Sequence, residues 1–277
     1  MCEAAILGAG PIGAAVAERL VSRGRLKRIL LIDAAIDAAT GIALDLQQSG
    51  AVAALGDTTV SAADDLLAAA RADVIVVADR RTEGEWAGPD GVGLVQRLVR
   101  AGISAPMVFA GPSQHQLMEA AYRRLGVPRD RLIGTAAAAL AGTVQEILAL
   151  ELDAPCAVIV TGRPPQFVIG WSAATAGGRL VREHLPPHQL LATTDLLGRL
   201  WPPGPYAIAS ATAPVVEALG DGSRRRHLAV TILDGELNTR GSAVLLPVAL
   251  DRGRVRSHAL PSLSEHERTA LLNSLLE

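Results

Sequence analysis

Through the first half of the chain, continuous apolar runs of strand length alternate with helix-length periodic segments. "AAILGAG" leads into "PIGAAVAERLVSRG", "RILLIDA" into "DAATGIALDLQQSG", and "APMVFAG" into "HQLMEAAYRRLG", with "ADVIVVADR", "GVGLVQRLVRAG" and "DRLIGT" in the same rhythm. Strands that are apolar throughout are buried on both faces, which predicts a parallel sheet with helices on each side. Past Ala136 the pattern changes. A long helical "AAALAGTVQEILALEL" precedes a strand "APCAVIV" and a Pro-rich stretch around "WPPGPYAIASATAPVVEALG". Two apolar runs in "RHLAVTILDGELNTRGSAVLLPVAL" read as antiparallel strands, and "SLSEHERTALLNSLLE" as a terminal amphipathic helix. The expectation is an α/β fold: a doubly wound parallel sheet over 1–134, then an α+β domain over 135–277.

Composition narrows the partners. With 277 residues, 49% of them hydrophobic, the chain can bury one large core or two fused ones. A formal net charge of -2 gives no long-range attraction to nucleic acid or to an anionic membrane, so neither is an expected partner. The basic cluster "SRRRH" from Ser223 reads as the solvated end of a hairpin. Cys2 and Cys156 have no metal-ligand spacing and no neighbouring His or Cys, so no metal site is expected and a reduced, cytoplasmic compartment fits best. No export leader is recognised, and no apolar run reaches the roughly 18 residues of a membrane span.

The first motif with chemistry is "ILGAGPIGAAVAERL", where Gly8, Gly10 and Gly13 make G-x-G-x-x-G between a predicted strand and a predicted helix. Gly8 permits the tight turn, Gly10 the approach of backbone to a pyrophosphate, and Gly13 close packing of helix on strand. Asp33 ends the second strand twenty positions after Gly13, where a carboxylate can accept from an adenosine ribose and repels a 2′-phosphate. Gly8, Gly10, Pro11, Ile12, Gly13 and Asp33 are therefore the candidate cofactor-binding residues, and NAD the candidate cofactor. A glycine turn kept only for packing is the alternative.

The order of motifs resembles the lactate/malate dehydrogenase family. The resemblance rests on "GAGPIGAAVAERL", on "GIALDL" from Gly41, on "EGE" followed by "LVQR", and on "VFAGPSQHQLMEAAYRRLGVPRDRLIGT". It continues through "YAIASATAPVVEAL" and "LPVAL" followed by "LSEHERTALLNSL", and so spans nearly the whole chain. It implies a Rossmann-type domain with a C-terminal α+β domain, hydride transfer between NAD and a 2-hydroxy acid, and a homodimer.

The catalytic residues that the resemblance implies are absent. The family's aspartate and arginine, three residues apart after "IGT", fall on Leu140 and Thr143, with Gln145 where a further arginine often stands. A leucine cannot hold an imidazolium, and a threonine cannot supply two parallel N–H donors to a carboxylate. Gly111 matches the family's asparagine, and "TGRPPQF" matches its histidine loop, placing Arg163 or Pro164 opposite the general acid/base. Neither shuttles a proton near neutral pH. The loop "TEGEWAGPDGVG" lacks an arginine after Glu85, and Asp79 replaces a glycine beside the cofactor pyrophosphate, where a carboxylate repels phosphate. Arg80 and Arg81 read as a solvated strand end. His115 and Glu146 are the remaining groups near the cleft, but a lone His at a helix start is commonly a capping residue.

No catalytic residues are therefore assigned. Two readings stay open: a non-catalytic or sharply diverged relative of the dehydrogenases that binds a small-molecule ligand or a partner, and an active NAD-dependent oxidoreductase acting on another hydroxy or carbonyl compound. A structural homodimer is a third.

Overall fold

A computed structural model describes residues 2–54 and 56–275 of the chain. Nine strands form its main sheet: β1 (Cys2–Leu7), β2 (Leu26–Ile32), β3 (Thr59–Ala63), β4 (Val74–Val77), β5 (Met107–Phe109), β6 (Leu132–Gly134), β7 (Arg226–Asp234), β8 (Arg240–Asp251) and β9 (Arg254–His258). Their order across the sheet is β9-β8-β7-β6-β5-β4-β1-β2-β3. The first six run parallel in the order 3-2-1-4-5-6, the dinucleotide-fold arrangement in which β1 lies where the winding reverses. Ala4 and Ile6 enter one core cluster while Ala5 and Leu7 enter the other. Because successive side chains of a strand point to opposite faces, this division explains why the run is apolar without interruption.

The helices are α1 (Pro11–Arg23), α2 (Ile36–Val52), α3 (Gly88–Arg100), α4 (His115–Leu125), α5 (Ala136–Leu152), α6 (Pro187–Arg199), α7 (Pro205–Asp221) and α8 (Glu265–Ser274). Pro11 opens α1, where its missing N–H is no loss, and Gly24 ends it at φ +61°. None of the helices is long and apolar enough to cross a membrane, among the described residues.

The expected antiparallel strands β7 and β8 form, and with β9 they extend the parallel sheet through a pairing of Val230 with Gly134 on β6. One expectation fails locally. "APCAVIV" is not one strand: Cys156–Ala157 pairs with Thr175–Ala176, while Val160–Thr161 pairs with Val168–Ile169. The segment passes between two ladders, and an unbroken apolar run carries no mark of that change. "SRRRH" joins α7 to the open end of the β7–β8 hairpin: Arg226 and His227 pair with Ala249 and Val248, Arg224 to Arg226 are exposed, and Ser223 Oγ accepts from the Arg225 N–H.

Candidate functional site

The carboxyl ends of β1, β2, β4 and β5 make the crevice in which a doubly wound sheet binds its ligand. The glycine turn after β1 has the tightness read from its sequence. Gly8 adopts φ +118°, and a side chain there would strike the Asp79 carbonyl; one on Gly13 would strike the carbonyl of Gly8. Beneath Gly10 lies the carboxylate of Asp79, its Cγ 2.5 Å from where a Cβ would stand.

Two aspartates take the amides of this turn. Asp79 Oδ1 accepts from the N–H groups of Ile12 (2.9 Å) and Gly13 (3.0 Å), and the Asp79 carbonyl accepts from Gly10 N–H (2.8 Å). Asp33 Oδ2 accepts from Ala9 N–H (2.7 Å) and Arg81 N–H (2.9 Å), and Oδ1 from Ala35 N–H (2.9 Å). Pro11 has no N–H to offer. Every amide from Ala9 to Gly13 that can donate is therefore already donating, and both aspartates are buried. The candidate residues Gly8, Gly10, Pro11, Ile12, Gly13 and Asp33 do come together, but around Asp79. NAD does not fit the turn in this arrangement, since a pyrophosphate would meet a carboxylate where it needs free N–H groups.

The segment after Asp79 is fastened across the crevice. Asp79–Arg80 pairs with Gly84–Glu85 in a short antiparallel ladder. The Arg80 guanidinium lies 4.3 Å above the Trp86 ring and pairs with Glu83 and Asp90, while Trp86 Nε1 donates to the Leu7 carbonyl at 3.1 Å. Arg80 is thus not the free strand end expected of it. Glu85 Oε2 accepts from Ser113 N–H (3.0 Å) and Ser113 Oγ (2.7 Å). Fully buried Gln114 donates from Nε2 to the Ala78 carbonyl (2.8 Å) and accepts at Oε1 from Gly111 N–H (2.9 Å).

In and around the loop that carries Arg163 the groups are likewise committed. Arg163 reaches back to α4, where Nε and Nη2 donate to Glu119 Oε1 (3.0 Å) and Oε2 (3.3 Å). Glu119 Oε1 also accepts from Ala243 N–H at 3.0 Å. Gly111, His115, Thr135, Pro164 and Trp201 line a cavity of about 10 Å³, at the lower limit for one water molecule. Burial lowers the His115 pKa, a shift the Pro112 carbonyl partly opposes at 3.3 Å from Nδ1. The Pro164–Pro165 bond is cis.

Leu140 is buried in the core, and Thr143 Oγ1 donates to the Ala139 carbonyl within α5. Thr143 and Glu146 face a separate groove of about 490 Å³ between α5 and α7, lined with Ala207, Ser210 and Ala211. Its charged lining residue is Glu146, which repels a carboxylate. Gln145 donates to the Val158 carbonyl (3.3 Å). His115 and Glu146 are thus not brought together. No group of three or more possible metal ligands occurs among the described residues.

Sequence reasoning missed Glu119, Glu85 and Gln114 as partners. Glu119 alone left a signal, being a charge among Leu117, Met118 and Ala121 on the buried face of α4.

Strand order and glycine turn define the class: a protein built on the dinucleotide fold of the dehydrogenases. The chain is 24% identical to malate dehydrogenase of Chloroherpeton thalassium, over 98% of this chain and 94% of that protein. It is 24% identical to L-lactate dehydrogenase 2 of Listeria monocytogenes, over 98% and 94%. Malate dehydrogenase of Aeropyrum pernix superposes with a TM-score of 0.88 at 20% identity, covering 99% of this chain and 95% of that one. No family model matches the chain. With relatives of these two kinds along nearly its whole length, the chain resembles the lactate/malate dehydrogenase family.

Proposed function

We propose that this protein is a non-catalytic or sharply diverged member of that family, without 2-hydroxy acid dehydrogenase activity. One observation carries the reading: in the loop that sets Arg163 or Pro164 opposite the family's proton-transferring histidine, Arg163 is held through Nε and Nη2 on Glu119. A guanidinium cannot act as a general acid/base near neutral pH, and this one is engaged with a carboxylate. Leu140, Thr143 and Gly111 support the same conclusion, because none can orient an imidazole or grip a carboxylate. NAD is the cofactor that kinship implies, and the engaged amides of the glycine turn speak against it.

We further infer a cytoplasmic homodimer divided near residue 135. Two free cysteines suit a reducing compartment. Leu44 and Val52 of α2 and Tyr206 of α7 are exposed apolar side chains that a second copy can cover.

The test is NAD-linked turnover of lactate and of malate by the purified protein across roughly pH 6 to 10. The reading expects none above background. Measurable turnover of either acid ends it and restores the oxidoreductase alternative.

A further inference from the structure

We propose that the glycine turn carries an internal occupant, residues 79–81, which stands in for the pyrophosphate and ribose of a dinucleotide and excludes that ligand from the folded protein. The inference concerns the cofactor position, and it stands or falls independently of the missing proton-transfer group.

The substitution is made donor by donor along the turn. A helix N-terminus presents unsatisfied N–H groups and a partial positive charge, and a dinucleotide fold uses both to hold phosphate. Here the Asp79 carboxylate takes the first-turn amides of α1, those of Ile12 and Gly13, at ordinary hydrogen-bond distances. It fills the space that the absent side chain of Gly10 leaves open. Two residues along, Arg81 N–H donates to Asp33 Oδ2, one of the oxygens a ribose hydroxyl would require. With Ala9 and Ala35 as further donors, Asp33 has three N–H partners and is only 5% exposed. One three-residue segment thus satisfies both halves of an adenosine-diphosphate site.

Displacing it is unfavourable on three counts. A buried carboxylate must give up charge-assisted hydrogen bonds. The Asp79 carbonyl must release Gly10 N–H, which shapes the turn itself. The ladder beyond must also loosen, although Arg80 on Trp86 and Glu85 on Ser113 anchor it. A phosphate arriving from solvent finds a like charge and no free donor.

The experiment is calorimetric titration of the full-length protein with NADH, for the natural sequence and for Asp79→Gly, with exchange of the Ile12 and Gly13 amides followed by NMR. The natural protein is expected to give no binding tighter than about 1 mM. Asp79→Gly is expected to bind NADH at least about tenfold more tightly than that, with both amides exchanging faster until NADH protects them again. Asp79→Ser serves as the second variant if the glycine destabilises the fold, with the same expectation. Binding by the natural protein near 100 µM or tighter overturns the proposal, and so does a folded Asp79 variant that stays silent. Lactate or malate turnover would be needed to overturn the non-catalytic reading, so the two failures are told apart.

Discussion

Arg163 and Glu119 are joined at two points, Nε to Oε1 and Nη2 to Oε2, and the same carboxylate holds the Ala243 amide of β8. The loop carrying Arg163, helix α4 and the antiparallel strands therefore meet on one side chain. The pair is a structural tie between distant parts of the chain.

That tie makes Glu119 the more sensitive partner. Glu119→Ala strands both a guanidinium and a buried N–H, and should destabilise by about 3 kcal/mol; Arg163→Ala should lose about 1–2 kcal/mol, since Arg163 is partly exposed. The two together should lose less than the sum of the single changes. Urea denaturation of the three variants checks the order.

Rebuilding part of a catalytic site should not revive it. Leu140→Asp with Thr143→Arg is expected to give no lactate or malate turnover, because Arg163 and Gly111 remain. Leu140 is 1% exposed, so the new carboxylate enters a closed apolar core and should lower stability by at least about 3 kcal/mol. A clear gain of rate in this variant would mean that the rest of the site is intact.

Gly13→Ala should destabilise by about 2 kcal/mol or more, measured as a lowered Tm, because its methyl group meets the carbonyl of Gly8. The loss arises within the fold and is expected whether or not any nucleotide is present.

Acid should act through Glu236. Burial works to raise its carboxyl, but the backbone N–H groups of Asp234 and Glu236, with Arg129 and His258, outweigh it and bring the pKa down to about 2. The unfolded chain then takes up a proton near pH 4.3 that the folded one refuses, so this stabilisation is present above that pH and is lost as pH falls toward 2. After screening it is on the order of 1 kcal/mol. Glu236→Gln should flatten the stability profile between those limits in urea titrations at stepped pH.

The parallel half was legible because burial on both faces leaves an unbroken apolar run, as in "VIVV" at Val74–Val77. Glycines too were readable, since Gly8 and Gly13 are fixed by lack of space. The destination of polar side chains was not. Asp79 could be recognised as foreign beside a phosphate, but its hold on Ile12 and Gly13, 67 and 66 residues away in sequence, arises only when β1 and β4 lie side by side. Glu119 and Arg163, 44 residues apart, are hidden for the same reason. The broken strand at Cys156–Thr161 was invisible because hydropathy does not record which neighbour a residue pairs with.

The junction of β6 with β7 bears on how the chain is made. On a ribosome the N-terminal parallel strands emerge first, and they leave β6 as a bare hydrogen-bonding edge until β7 arrives, more than ninety residues later. Such an edge invites pairing with another nascent chain. Gly134 leaves the room that Val230 enters, so the late strand fits a place already shaped for it, and a chain cut short near residue 135 would be left adhesive.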